Sequence, residues 1–165
     1  MEVTDKLLIV AHPDDAVLWA AANLAAARGW HVVVSSGAND REVRRAFAKT
    51  MSWLGVSSWE MYAAPMNNDS DDAKQALAIY KKHPAFRERL AKLVKKDWSL
   101  VLTHNDAGEY GSPDNEAVHA LVTSAFAYKD IGDRNFHTNA KKLRFFAAAP
   151  AELPAAALAL SLIHI

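Results

Sequence analysis

The chain has 165 residues, enough for one domain that buries a core without disulfide staples. Lys plus Arg number 19 and Asp plus Glu number 19, so a net charge of zero excludes a bulk electrostatic drive toward nucleic acid or an anionic membrane. The absence of cysteine excludes disulfides, iron–sulfur clusters, thiol catalysis and thiolate zinc sites, so any metal must be held by His, Asp, Glu, Asn or water.

Residues Lys6 to Ala11 form a short apolar run, as in a strand buried on both faces, and it ends at His12-Pro13-Asp14-Asp15. Ala16 to Arg28 is Ala- and Leu-rich and stops at Gly29, which predicts a helix. His31 to Ser35 is β-branched and strand-like, Arg41 to Leu54 is helical by composition and stops at Gly55, and Trp59 to Ala63 reads as a third strand. Pro65 to Asp72 is a polar loop. Asp72 to Lys82 and Pro84 to Lys96 are two helices separated where His83 precedes a proline. Trp98 to Thr103 is a fourth strand, Asn105 to Ser112 a loop, Pro113 to Tyr128 a helix and Lys142 to Ala149 a fifth strand.

Strands alternating with helices predict an α/β fold: a Rossmann-like, three-layer α/β/α arrangement around a mostly parallel sheet of order 3-2-1-4-5. One domain is expected over residues 1–150, with a compositionally distinct tail over 151–165. The terminal hexapeptide Leu160 to Ile165 matches the translation of a transposon-adapter end used in sequencing libraries, so the reading frame is expected to run off a truncated insert; an edge strand or helix end is the alternative. No apolar run reaches 18 residues and the first residues are acidic, so no membrane span and a cytoplasmic location are expected.

In an open α/β sheet, ligands bind beyond the carboxyl ends of the strands, where strand order reverses. Strand one ends in His12, Asp14 and Asp15, and strand four in Thr103-His104-Asn105. In the order 3-2-1-4-5 these two are neighbours facing one cleft. Imidazole and carboxylate suit a zinc site with one position open to water, and a second carboxylate can take that water's proton. The same aspartates could instead cap the following helix at its positive end. A nucleotide-binding first turn is disfavoured: there is no Gly-x-Gly-x-x-Gly, and Asp14-Asp15 would repel phosphate. His31, His83 and His137 are expected in surface or turn positions, the five tryptophans in core packing, and Arg41, Arg44 and Arg45 on a solvated helix face or binding an anionic group.

The run Leu8-Ile9-Val10-Ala11-His12-Pro13-Asp14-Asp15 resembles the Ala-His-Pro-Asp-Asp-Glu signature of the LmbE-like, or PIG-L, zinc-dependent de-N-acetylases. Gly108-Glu109-Tyr110-Gly111-Ser112-Pro113-Asp114-Asn115, with Val118-His119 shortly after it, resembles that family's Gly-Glu-Tyr-Gly-His-Pro-x-His segment and its Val-His pair. The likeness runs roughly from Lys6 to Tyr128. It implies a zinc ion held by His12, Asp15 and the position of Asn115, with Asp14 as general base. It also implies hydrolysis of an N-acetyl group on an amino sugar or related small molecule. Three positions depart from the pattern: Ala16 replaces the glutamate, Ser112 the histidine that stabilises the tetrahedral intermediate, and Asn115 the third, histidine ligand. An amide oxygen is a poorer zinc ligand than imidazole, and no thiolate is present to replace it. His104, or His119 one helical turn beyond Asn115, could complete a rearranged site, or each could be structural. The resemblance leaves two expectations: a metal-dependent deacetylase with an altered third ligand, or a non-catalytic relative that binds a sugar or another small ligand.

Overall fold

The computed structural model describes residues 4–65, 72–131 and 143–146. The tail, its terminal hexapeptide, His137 and most of the polar loop after Pro65 lie outside the described residues. Five strands, β1 (Lys6–Val10), β2 (Trp30–Val34), β3 (Ser58–Met61), β4 (Leu100–Thr103) and β5 (Leu143–Phe145), form one parallel sheet in the order β3-β2-β1-β4-β5. That is the order expected from the sequence.

The pleat sorts the apolar residues of β1 into two layers. Leu7 and Ile9 join Val33 and Val101 on one face, covered by α4 (Ala73–Lys82), α5 (Pro84–Leu93) and α7 (Pro113–Ile131) through Tyr80, Phe86, Leu90 and Val122. Leu8 and Val10 join Val32, Val34 and Leu102 on the other, covered by α1 (Asp15–Leu18), α2 (Ala21–Ala26) and α3 (Arg41–Trp53) through Ala16, Leu24, Phe47 and Met51. Burial on both faces explains why β1 and β2 read as unbroken apolar runs.

Several local expectations change. The helix predicted over Ala16 to Arg28 breaks at Trp19 and Ala20, where Ala20 leaves helical geometry (φ −120°, ψ −4°); Ala16, Ala20 and Leu24, spaced four apart, still reach the same apolar layer. Trp53 is 85 % exposed rather than packed, because it lies two residues beyond Met51, about 200° around α3 from the face that carries Phe47 and Met51 to the core. His31 is buried, not at the surface. It shares the pleat face of Val33 under α5, stacks on Trp98 at 6.1 Å, and hydrogen-bonds Ser58 Oγ (2.7 Å) and Glu60 Oε1 (2.8 Å). His83 has the expected turn role: its Nδ1 accepts from the Phe86 N–H and caps α5.

Candidate active site

The chain reverses its direction of sheet growth between β1 and β4, and the site lies at their carboxyl ends. Thr103 Oγ1 donates to the Ile9 carbonyl at 2.9 Å, tying the two strand ends together. Ala11 is then held from both sides. Its N–H donates to His104 Nε2 (2.9 Å), and its carbonyl accepts from Ser35 Oγ (3.0 Å) and Ser36 Oγ (2.8 Å). The residue before His12 is therefore fixed, and from His12 the chain turns tightly into α1. Asp15 closes that turn by accepting from the His12 N–H at 2.9 Å.

The turn gathers His12, Asp14 and Asp15 so that one ligand atom from each lies within 4.8 Å of the others. His12 Nδ1 is 3.2 Å from Asp15 Oδ2, close to the roughly 3.3 Å that separates two ligand atoms on a tetrahedral ion with 2.0–2.1 Å bonds. The other ring nitrogen, Nε2, lies 3.1 Å from Asp114 Oδ2 at the start of α7. A carboxylate on the far nitrogen of a histidine fixes ring and tautomer for metal binding at the near nitrogen, which here bonds Asp15. Burial lowers the pKa of His12, but hydrogen bonds to Asp114 and Asp15 outweigh it and push the ring up to about 10. Burial also works against ionised Asp15, yet the His12 contacts hold its carboxyl below the ordinary range. Asp14 differs. Burial and the Asp15 charge raise its pKa against the pull of His12 and of backbone N–H groups in its own turn, and it caps no helix.

Asn115 lies where the third ligand was expected and is wholly buried. Its Nδ2 donates to Glu109 Oε2 at 2.9 Å and approaches Asp15 Oδ1 at 3.4 Å. Its Oδ1 is buried without a hydrogen-bond partner among the described residues. Such an orphaned acceptor costs about 1–3 kcal/mol, and a cation or water at that oxygen would relieve it. The imidazole of His12 and the carboxylates of Asp14 and Asp15 form a donor set that fits a divalent ion of borderline character.

Neither candidate substitute supplies a free imidazole. His104 Nε2 already accepts from Ala11, so Nδ1 carries the proton, which it donates to Glu109 Oε2 at 2.7 Å. His119 turns away: Nδ1 bonds the His104 carbonyl at 2.8 Å and the ring packs on Phe145. Ser112 serves as the cap of α7, its Oγ accepting at 3.5 Å from the Asn115 N–H. Two residues that touch His12 or Asn115 are not singled out from the sequence, Asp114 and Glu109. Asp114 has one visible signal, an acidic residue in the first turn of a helix beside the expected ligand. Glu109 lies within the Gly108-Glu109-Tyr110-Gly111 match, but its strained positive φ (φ 61°, ψ −58°) in the helical turn α6 (Gly108–Gly111) is revealed only by the folded chain. The exposed Tyr110 of the same turn stacks on Trp19 at 6.2 Å. Arg41, Arg44 and Arg45 line an open cleft of about 550 Å³ with Trp59, and Arg44 lies over that ring.

Comparison with known proteins agrees with this architecture. No family model matches the chain. It is 27% identical over 153 residues to the uncharacterized protein L374 of Acanthamoeba polyphaga mimivirus, covering 81% of this chain and 60% of that protein. Among solved structures it resembles the N,N′-diacetylchitobiose deacetylase of Pyrococcus horikoshii complexed with its inhibitor MPG. The TM-score is 0.58 and the identity 15%, over 89% of this chain and 61% of that one. The chain therefore shares its fold with a deacetylase and spans about three-fifths of the length of each protein it matches.

Proposed function

We propose that the chain is a metal-dependent amide hydrolase of the LmbE-like, or PIG-L, type that removes the acetyl group from an N-acetylated amino sugar or a related small molecule. The observation that carries this reading is the His12, Asp14 and Asp15 cluster at the end of β1, with the far nitrogen of His12 tied to Asp114. The shared fold of a deacetylase that acts on N,N′-diacetylchitobiose supports the choice of reaction.

His12, Asp15 and Asn115 would hold the ion, with zinc the family's metal. When bound, it supplies Lewis acidity, polarising the amide carbonyl and acidifying a water molecule. Asp14 takes the proton of the attacking water as its oxygen bonds to the carbonyl carbon, then delivers it to the nitrogen as the carbon–nitrogen bond breaks. Asp114 orients His12, and the Ala11 clamp fixes the turn that carries His12, Asp14 and Asp15.

The test is acetate release from N-acetylglucosamine and N,N′-diacetylchitobiose with added Zn²⁺, Mn²⁺ or Co²⁺. The reading expects turnover that needs the ion and disappears in Asp14→Asn. Metal-dependent turnover that persists in that variant contradicts the assigned base. One observation favours a second reading, a sugar-binding module without catalysis: Ser112 is spent on capping α7 and supplies no cationic partner to an intermediate. Ion uptake without acetate release from any N-acetylated substrate would favour that module.

A further inference from the structure

Among the described residues, three buried side-chain polar atoms have no hydrogen-bond partner: Trp19 Nε1, Arg89 Nε and Asn115 Oδ1. The first two are donors. Asn115 therefore holds the sole buried acceptor left unpaired in this set, on a side chain whose Nδ2 reaches Asp15 of the His12 and Asp15 cluster. Its orientation is enforced. The Nδ2 end faces two carboxylates, Glu109 Oε2 at 2.9 Å and Asp15 Oδ1 at 3.4 Å, and reversing the amide would set Oδ1 against both. Glu109 is itself immobilised. It accepts from His104 Nδ1 at 2.7 Å and from the Asn105 N–H at 2.8 Å, while Asn105 Oδ1 accepts from the Glu109 N–H at 3.1 Å. That lattice holds a non-glycine residue at positive φ, a strain that persists only where surrounding contacts over-determine it.

We propose that Glu109 is a positioning residue that aims the Asn115 carbonyl oxygen as the third metal donor, and that the resulting oxygen-rich set narrows the site's preference for zinc over manganese. The inference rests on the metal-dependent reading above. Its physical basis is ligand character: imidazole favours zinc, whereas carbonyl and carboxylate oxygens suit harder cations such as Mn²⁺. The asparagine is then a change of donor, held in place by a dedicated carboxylate.

The experiment measures Zn²⁺ and Mn²⁺ affinities separately, by chelator competition and by electron paramagnetic resonance, on the full chain and its variants. Glu109→Gln is expected to weaken both ions about 10-fold or more, the scale of lost outer-shell support, because the amide then loses its charged acceptor. The paired change Glu109→Gln with Asn115→Asp reverses the hydrogen bond between the two residues and is expected to restore manganese affinity. Asn115→His is expected to raise the zinc-to-manganese affinity ratio by about 10-fold or more. Should Glu109→Gln not fold, Asn115→Leu carries the same test, with manganese affinity expected to fall by about 10-fold. Affinities within about twofold of wild type in a folded Glu109→Gln or Asn115→Leu chain, or an unchanged ratio in Asn115→His, overturn the inference while leaving the metal-dependent reading intact. A folded wild type that takes neither ion overturns both.

Discussion

At the scale of residues, the site divides labour among carboxylates that look alike in the sequence. Asp15 is buried and held ionised by His12, whereas burial and its neighbour's charge destabilise Asp14 as an anion. Asp14→Asn is accordingly expected to cost about 10²–10⁴-fold in kcat and to leave metal affinity within a few fold, measured by steady-state kinetics and metal titration on one preparation. Asp114→Asn is expected to show the opposite split. It releases His12 Nε2 from its carboxylate, so metal affinity should fall about 10–100-fold. The contiguous motif His12-Pro13-Asp14-Asp15 was legible because its chemistry sits in four adjacent residues. The contact of Asp114 with His12 and the conformation of Glu109 were not, because the first joins residues about a hundred positions apart and the second is a backbone state that composition does not encode.

At the scale of elements, the apolar runs made β1, β2 and β4 readable and fixed the cleft between β1 and β4. What they could not show was which neighbour covers each face. His31 illustrates this: only the packing of α5 over β2 and β3 encloses it. Burial lowers its pKa despite the opposing pull of Glu60, so the folded chain prefers the neutral ring. Above pH 6.5 the ring is neutral in both states and contributes no pH dependence. As pH falls below 6.5 the unfolded chain takes up the proton first, and stability declines until the lowered folded pKa is passed. The stability that wild type holds over His31→Gln, read as the difference between their melting temperatures, is expected to shrink as pH falls from 6.5 to 5.5. The loop after β2 offers a second test. Gly37 has φ +82°, and a methyl group there would meet Met61 Cε at 2.9 Å and Pro13 Cγ at 3.1 Å. Gly37→Ala should cost about 1–3 kcal/mol in chemical denaturation. It should also weaken metal binding, because the displaced proline lies inside the site's own turn.

At the scale of the whole molecule, the parallel order β3-β2-β1-β4-β5 matches the expectation from alternating strands and helices, since handed crossovers leave few alternatives once the element sequence is known. The same order places the chemistry at the switch between β1 and β4. Substrate choice was not legible. It depends on cleft walls, and the chain spans only about three-fifths of the proteins it matches. The metal question is global as well as local, because an ion bound only by the folded chain stabilises all of it. At 100 times its dissociation constant an ion adds about 2.7 kcal/mol, which for a chain of this size raises the melting temperature by roughly 5–10 °C.

Metal content per chain tests the central claim most directly. The purified protein is incubated with micromolar Zn²⁺ or Mn²⁺, freed of unbound ion and analysed by inductively coupled plasma mass spectrometry beside His12→Ala and Asp15→Ala. The account predicts about one divalent ion per chain in wild type and none retained in either variant. A folded wild type that retains no ion, or variants that retain as much as wild type, would contradict it.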